Sequence, residues 1–350
     1  MRTLPWLVCL LAAASPCLAA DDDVAGWQLH WDNDVWAKGS TDRWYTNGIR
    51  LGWAYNKRPD NELAKLFIEG SRWLQWNDGD YHLAYSVGQT MYTPQNIALA
   101  RPQPDDRPWG AFLYFGASTN ASRKKPGSEE FRSTELKLGT TGPHALGEQF
   151  QEFVHKVGSA QIPQGWHQQL RARPGIQLSH TRVYMPNDHG GRDYFGFQYG
   201  WGVAAGTLRN HANINGALLV GNLRGTATPM PMSNEGDFVT ADFNNRALFK
   251  RLFAYAAVNV TGVASNYFIE GSTPYGRSRL EAKRSYTVVQ AGVSIPLQCW
   301  FGKRWPRLVY AQSTRSPEFR NSVTGREGAR QRWGTFSFNW DIDDGTAKDC

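Results

Sequence analysis

Two short clusters near the start of the chain carry side chains from which a reaction centre can be built. Asp32-Asn33-Asp34 offers two carboxylates and an amide, and Tyr45-Thr46-Asn47-Gly48 offers a hydroxyl and a second amide. Asp34 is a hard oxygen ligand of the kind Ca²⁺ takes. Asn33 adds an amide oxygen or a donor, and Thr46 a hydroxyl. Farther along, Gln151 and His155 are spaced i, i+4, so a helix presents them on one face. A histidine is the natural general base near neutral pH, and Gln151 can orient it or hold a water. A His base activating water, with Ca²⁺ stabilising the oxyanion, makes an ester hydrolase. His155, Asn33, Asp34, Thr46 and Gln151 are therefore the catalytic candidates, with Asp34 as the metal ligand. Each also has an ordinary reading: Asp and Asn are common turn formers, and a lone helical His is more often structural.

The elements that must position these groups are mostly strands. Before the first cluster, Trp27, Leu29 and Trp31 alternate with Gln28, His30 and Asp32. After the second, Ile49, Leu51 and Trp53 alternate with Arg50, Gly52 and Ala54. Two adjacent strands thus deliver both clusters to one rim of a sheet. Strict alternation sends Asp34 and Thr46 to the lumen and Asn33 outward, so a twist or bulge at the rim must re-aim Asn33. Similar alternation places strands near 25–36, 44–56, 81–92, 110–121, 131–140, 172–184, 193–206, 210–221, 246–260, 284–297, 306–316 and 331–341. About twelve strands suit a closed antiparallel transmembrane β-barrel, which leaves no edge exposed to lipid. A secreted β-sandwich is the plainer rival. Helical periodicity appears at Asn61–Trp76, as an interfacial or plug helix, and at Ala145–Val157, a short helix that carries His155. His30, His82 and His180 lie in strands and read as lumen residues without an assigned role.

Composition agrees with a barrel. Apolar residues make up 41% of the 350, with 15 Trp, 14 Tyr, 17 Phe and 35 Gly, yet no 18-residue apolar run follows the N-terminal segment. Residues 1–20 read as a secretory signal, with Arg2, an apolar run and Leu18-Ala19-Ala20, leaving 21–350 as one domain. The net charge of +7 favours anionic lipid headgroups over nucleic acid, since no basic run exceeds a few residues. Cys299 and Cys350 can form one disulfide in an oxidising compartment. No Gly-x-Ser-x-Gly elbow, zinc motif or phosphate loop is present.

Taken in order, several segments resemble the outer-membrane lipid A 3′-O-deacylase family. They are Asp32-Asn33-Asp34, Asp42 through Gly48, Gly88-Gln89, Tyr92-Thr93-Pro94, Asp106 through Tyr114, Gly142-Pro143, Gly147-Glu148, Gln151 through His155, Gly165-Trp166, Pro317-Glu318-Phe319 and Gln331 through Gly334. The resemblance implies a twelve-stranded outer-membrane barrel with its active site at the outer-leaflet rim. It also implies Ca²⁺-dependent removal of the 3′-linked acyloxyacyl group of lipid A. The family's base His, its Asn, Asp and Thr, and a Gln one turn before the His fall on His155, Asn33, Asp34, Thr46 and Gln151. Where the family has a Lys in the loop after the third strand, this chain reads Gln95-Asn96-Ile97-Ala98-Leu99-Ala100, followed by Arg101. Expected partners are lipid A or lipopolysaccharide and outer-membrane lipids; oligomeric state is open. The rival functions are a non-catalytic barrel that binds lipid or acts as a channel or adhesin, and a Ser/His phospholipase, for which no convincing Ser–His pair is present.

Overall fold

The computed structural model describes residues 24–37, 43–55, 62–74, 82–186, 194–221, 223, 252–302 and 305–341. The expected signal segment, residues 224–251 and Cys350 lie outside them. Among the described residues, twelve strands close into an antiparallel barrel. They are β1 (Val24–Asn33), β2 (Trp44–Tyr55), β3 (His82–Thr93), β4 (Gly110–Lys125), β5 (Ser128–Thr141), β6 (Pro174–Pro186), β7 (Phe195–Gly206), β8 (Arg209–Gly221), β9 (Phe253–Asn266), β10 (Ser285–Pro296), β11 (Arg307–Arg315) and β12 (Gln331–Asp341). Each pairs with its neighbours in sequence, and β12 returns to β1 with Trp340 opposite Trp27.

One ion pair fixes which face is which. Arg50 on β2 donates to Glu135 on β5 at 2.8 Å, and these strands are not neighbours, so the bond crosses the lumen. Alternation then points Gln28, His30, Asp32, Ser118 and Lys137 inward, where all are buried. The outward positions include Phe115, Leu138, Ile176, Leu178, Val203 and Ile214, all exposed. An apolar outside and a polar inside are what a bilayer demands of a spanning barrel.

At the end where β1 stops and β2 starts, side chains fill the mouth. Tyr45, Tyr92, Phe112, Tyr114 and Trp333 pack with Leu170 and Phe268, which descend from rim loops. Phe268 belongs to a short helix (Tyr267–Glu270) and stacks on Tyr92 with ring centroids 4.6 Å apart. Arg107 and Arg315 both pair with the buried Glu318, and Arg107 lies over the Tyr92 ring at 4.1 Å. These contacts pin the 94–109 and 316–330 loops over the opening.

At the other end, a helix at Glu62–Ser71 (α1) lies on the outside of the barrel. Ser71 accepts a hydrogen bond from Thr119 at 3.2 Å, and Thr119 faces away from the lumen because its neighbour Ser118 faces in. Ala64 and Ile68 are buried against the wall while Leu66 and Trp73 stay exposed. Of the two roles expected for this segment, the plug is therefore excluded. Cys299, in a short helix at Leu297–Phe301 at the same end, is disulfide-bonded; the other three cysteines lie outside the described residues. Of the ninth strand, expected at 246–260, residues 246–251 lie outside the described residues, and the described strand runs Phe253–Asn266.

His180 does not face the lumen. It is Cα-paired with Thr134, whose neighbour Glu135 points inward, so both face outward. A polar residue on a strand was assigned to the wet face, but register overrides residue type.

Candidate active site

Asn33 is the last residue of β1, paired with Asn47 on β2 and Gly334 on β12. By alternation it faces outward, as the sequence expects, and no bulge turns it inward. Its Oδ1 accepts from the Val35 backbone N–H at 2.8 Å, capping a 3₁₀ turn at Asp34–Trp36. That engagement leaves the amide NH₂ as the donor Asn33 can offer a ligand. Asp34 leaves the strand pattern because the turn starts on it. It is buried to 1% exposure, and its Oδ2 accepts from the Arg43 backbone N–H at 2.8 Å. Trp36 closes the turn by packing edge-on against Trp31 and Phe336 on the outer wall.

The bulge falls on β2 instead, and it is Thr46, expected in the lumen, that it re-aims. The β2–β3 register shifts between Tyr45 and Asn47, leaving Thr46 as the extra residue. Tyr45 is thereby turned inward, where its hydroxyl donates to Asp32 at 2.8 Å. Thr46 turns to the outer face, which Asn33 and Asn47 share. There its hydroxyl meets that of Thr93 at 2.7 Å. Thr93 follows Tyr92, which faces the lumen, so Thr93 faces out.

The helix Gly147–Val157 (α2) docks on this same outer side. Its lead-in carbonyl at Ala145 accepts from Gln89 of β3 at 2.5 Å. Met91, Ile97, Trp109, Ala111, Ala145 and Trp166 form the apolar seat. Gly147, Gln151 and His155, one turn apart, are the buried residues of the helix, while Phe153 and Val157 are 60% and 73% exposed. The polar face therefore meets the wall and the greasy face turns outward. Gln151 Oε1 accepts from the Trp166 indole N–H at 2.8 Å. His155 Nδ1 is 2.5 Å from the Gln161 carbonyl oxygen. A carbonyl can only accept, so Nδ1 carries the proton and Nε2 is the basic nitrogen.

The structure thus brings Asn33, Asp34 and Thr46 to one corner of the rim. It sets Gln151 and His155 on a helix seated on the adjoining β3–β4 wall, linked to that corner through Thr93 and β3. Sequence reasoning missed Thr93, the Gln161 carbonyl and Trp166. Thr93 was findable from alternation in β3; the carbonyl was not, since backbone groups leave no mark in residue type. Near the start of α2, burial raises the Glu148 carboxyl above its usual range, the charge of Glu152 adds to this, and His167 opposes it.

As to a cation, no three His, Cys, Asp or Glu side chains gather as a metal cage among the described residues. The oxygens the corner can turn to a cation are those of the Asp34 carboxylate and the Thr46 hydroxyl, since Asn33 Oδ1 is held by the Val35 N–H. That matches the chemistry Ca²⁺ uses and not that of zinc or copper.

Three comparisons bear on this geometry. The family model described as "Outer membrane protein LpxR" matches residues 4–342. The solved structure of LpxR from Salmonella typhimurium superposes with a TM-score of 0.66 at 16% identity, covering 91% of this chain and 100% of that one. The translocator domain of the autotransporter NalP from Neisseria meningitidis gives a TM-score of only 0.36 at 10% identity, covering 96% and 94%. No curated protein matches by direct sequence comparison.

Proposed function

The chain belongs to the LpxR family of outer membrane proteins, and on that premise we propose that it is a Ca²⁺-dependent ester hydrolase that removes the 3′-linked acyloxyacyl group of lipid A. One observation carries the reading beyond the family: α2 and the bulged Thr46 turn their side chains to the membrane face of the wall, not to the lumen. A soluble substrate has no reason to be met there, whereas an ester inside a lipid has. The exposed Phe153 and Val157 continue that apolar surface.

His155, protonated on Nδ1 and held by the Gln161 carbonyl, takes a proton from water on Nε2. The resulting hydroxide adds to the ester carbonyl. The tetrahedral intermediate then expels the sugar oxygen, which takes its proton from His155. The Asn33 NH₂ and the Thr46 hydroxyl stand as donors for the developing oxyanion. Asp34, with neighbouring oxygens, is the group to hold Ca²⁺, which when bound supplies Lewis-acid polarisation of the carbonyl. Gln151 positions the helix face through Trp166. The rival reading of an open channel meets the aromatic packing in the mouth.

The test is mass spectrometry of lipid A from cells expressing the chain or His155→Ala, with and without Ca²⁺. The expected result is loss of one acyloxyacyl mass, dependent on both. Unaltered lipid A from a folded wild-type barrel sinks the assignment; full activity in His155→Ala sinks the mechanism.

A further inference from the structure

The outer wall of β4–β7, away from the catalytic rim, breaks the apolar rule in an ordered way. Register places Ala121, Arg132, Arg182 and Trp201 in one row across four strands. The adjoining row toward the rim is Thr119, Thr134, His180 and Val203, and the row on the other side is Arg123, Glu130, Tyr184 and Tyr199. All share the outward face with Thr134. Three guanidinium groups thus stand on the outer wall, at the edge of α1, whose Ser71 covers Thr119; within these rows the one carboxylate is Glu130, which pairs with Arg132 at 2.8 Å.

Aromatic rings surround the cations. Arg182 lies 5.4 Å from the Trp201 ring, and Tyr184 stacks on Tyr199 at 5.4 Å. His180, 97% buried by its 3% exposure, meets the Thr134 hydroxyl at 2.9 Å through Nδ1. Its Nε2 and the Nε of Arg182 are buried without a hydrogen-bond partner. Toward the rim the same wall turns apolar at Leu136, Leu138, Ile176 and Leu178. A guanidinium is costly in hydrocarbon and tolerated at the headgroup level, where Trp and Tyr also gather.

We propose that this patch is a binding site for an anionic glycerophospholipid. Its phosphate sits against Arg132 and Arg182, and its acyl chains lie along Leu138, Ile176 and Leu178. Charge complementarity favours the anionic headgroup, and the patch is continuous with the lipid-facing belt, so lipid and not a protein is the occupant. That this end meets the inner leaflet rests on the proposed function, which sets the catalytic rim in the outer one.

The experiment is native mass spectrometry of the delipidated full chain in detergent, titrated with phosphatidylglycerol or phosphatidylcholine of matched chains. Phosphatidylglycerol is expected to bind more tightly. Arg182→Gln should weaken it about fivefold, the effect of one basic residue at a lipid surface, and Arg182→Lys should keep most of the binding. Equal retention of both lipids, or unchanged binding in a heat-modifiable, folded Arg182→Gln, overturns the proposal. If Arg182→Gln does not fold, the headgroup comparison on the wild-type chain decides alone. Arg182→Gln should leave lipid A processing unchanged. A wild-type chain that retains phosphatidylglycerol yet leaves lipid A intact refutes the deacylase reading and leaves this site standing.

Discussion

Gly147→Ala sets two effects of opposite sign against each other. Gly147 opens α2, and alanine is favoured over glycine in a helix by about 1 kcal/mol. On local propensity the substitution stabilises. Docking says otherwise. A Cβ at this position meets Trp166 Cη2 at 2.5 Å, Trp166 Cζ3 at 2.7 Å and the Ala111 Cβ at 2.8 Å. Carbon atoms prefer about 3.5–4.0 Å, so α2 or the Trp166 ring must yield by about an ångström. Trp166 cannot move alone, because its indole N–H holds Gln151 and its ring packs on Trp109 at 5.1 Å. Overpacking of this kind costs about 1–3 kcal/mol, which outweighs the helical gain. A displacement of about 1 Å at a catalytic group lowers rate on the order of 100-fold. Lipid A profiles and thermal melting of the purified barrel measure the two consequences. A variant that melts higher than wild type and processes lipid A at the wild-type rate would show that α2 is not seated on the wall through Gly147 and Trp166.

Trp166→Phe keeps a ring but deletes the donor to Gln151. Losing that hydrogen bond costs about 1 kcal/mol. Because Gln151 only positions the helix, kcat should fall with KM nearly unchanged; a rise in KM alone would contradict this role. Glu148→Gln tests the raised carboxyl. Its folded value lies above the unfolded one, so ionisation costs stability at pH above that value and nothing at pH below both. The variant should therefore melt higher than wild type near about pH 8 and not near about pH 4. The same shift at both would assign the effect to something other than ionisation.

Much of the barrel was legible because a spanning strand must alternate. Rows such as Thr287, Val289, Ala291 and Val293 announce themselves without a partner, and β10 appears where they predict it. The helix carrying Gln151 and His155 was legible from its two faces. What alternation could not show was the docking sense: the polar face, not the greasy one, meets the wall. The parity of Asn33 and Thr46 demanded a bulge, but not which strand carries it, nor that Thr46 and not Asn33 is the residue it re-aims. Its place depends on β3 offering Tyr92 and Thr93 opposite Trp44 and Tyr45, a long-range match with no local trace. His180 was misplaced because residue type stood in for register. On a wall that must also meet headgroups, that shortcut fails where charge faces outward.

The Arg50–Glu135 bond spans the lumen behind the strands that carry the site, and packed rings fill the mouth above it. In mechanical terms the barrel at this end is a rod and not a tube. A hollow cylinder under lateral pressure flattens, and every distance on its curved face changes with the bilayer around it. A solid one acts as an anvil: chemistry performed on its outer surface keeps its geometry while the surrounding lipid stiffens, thins or changes composition.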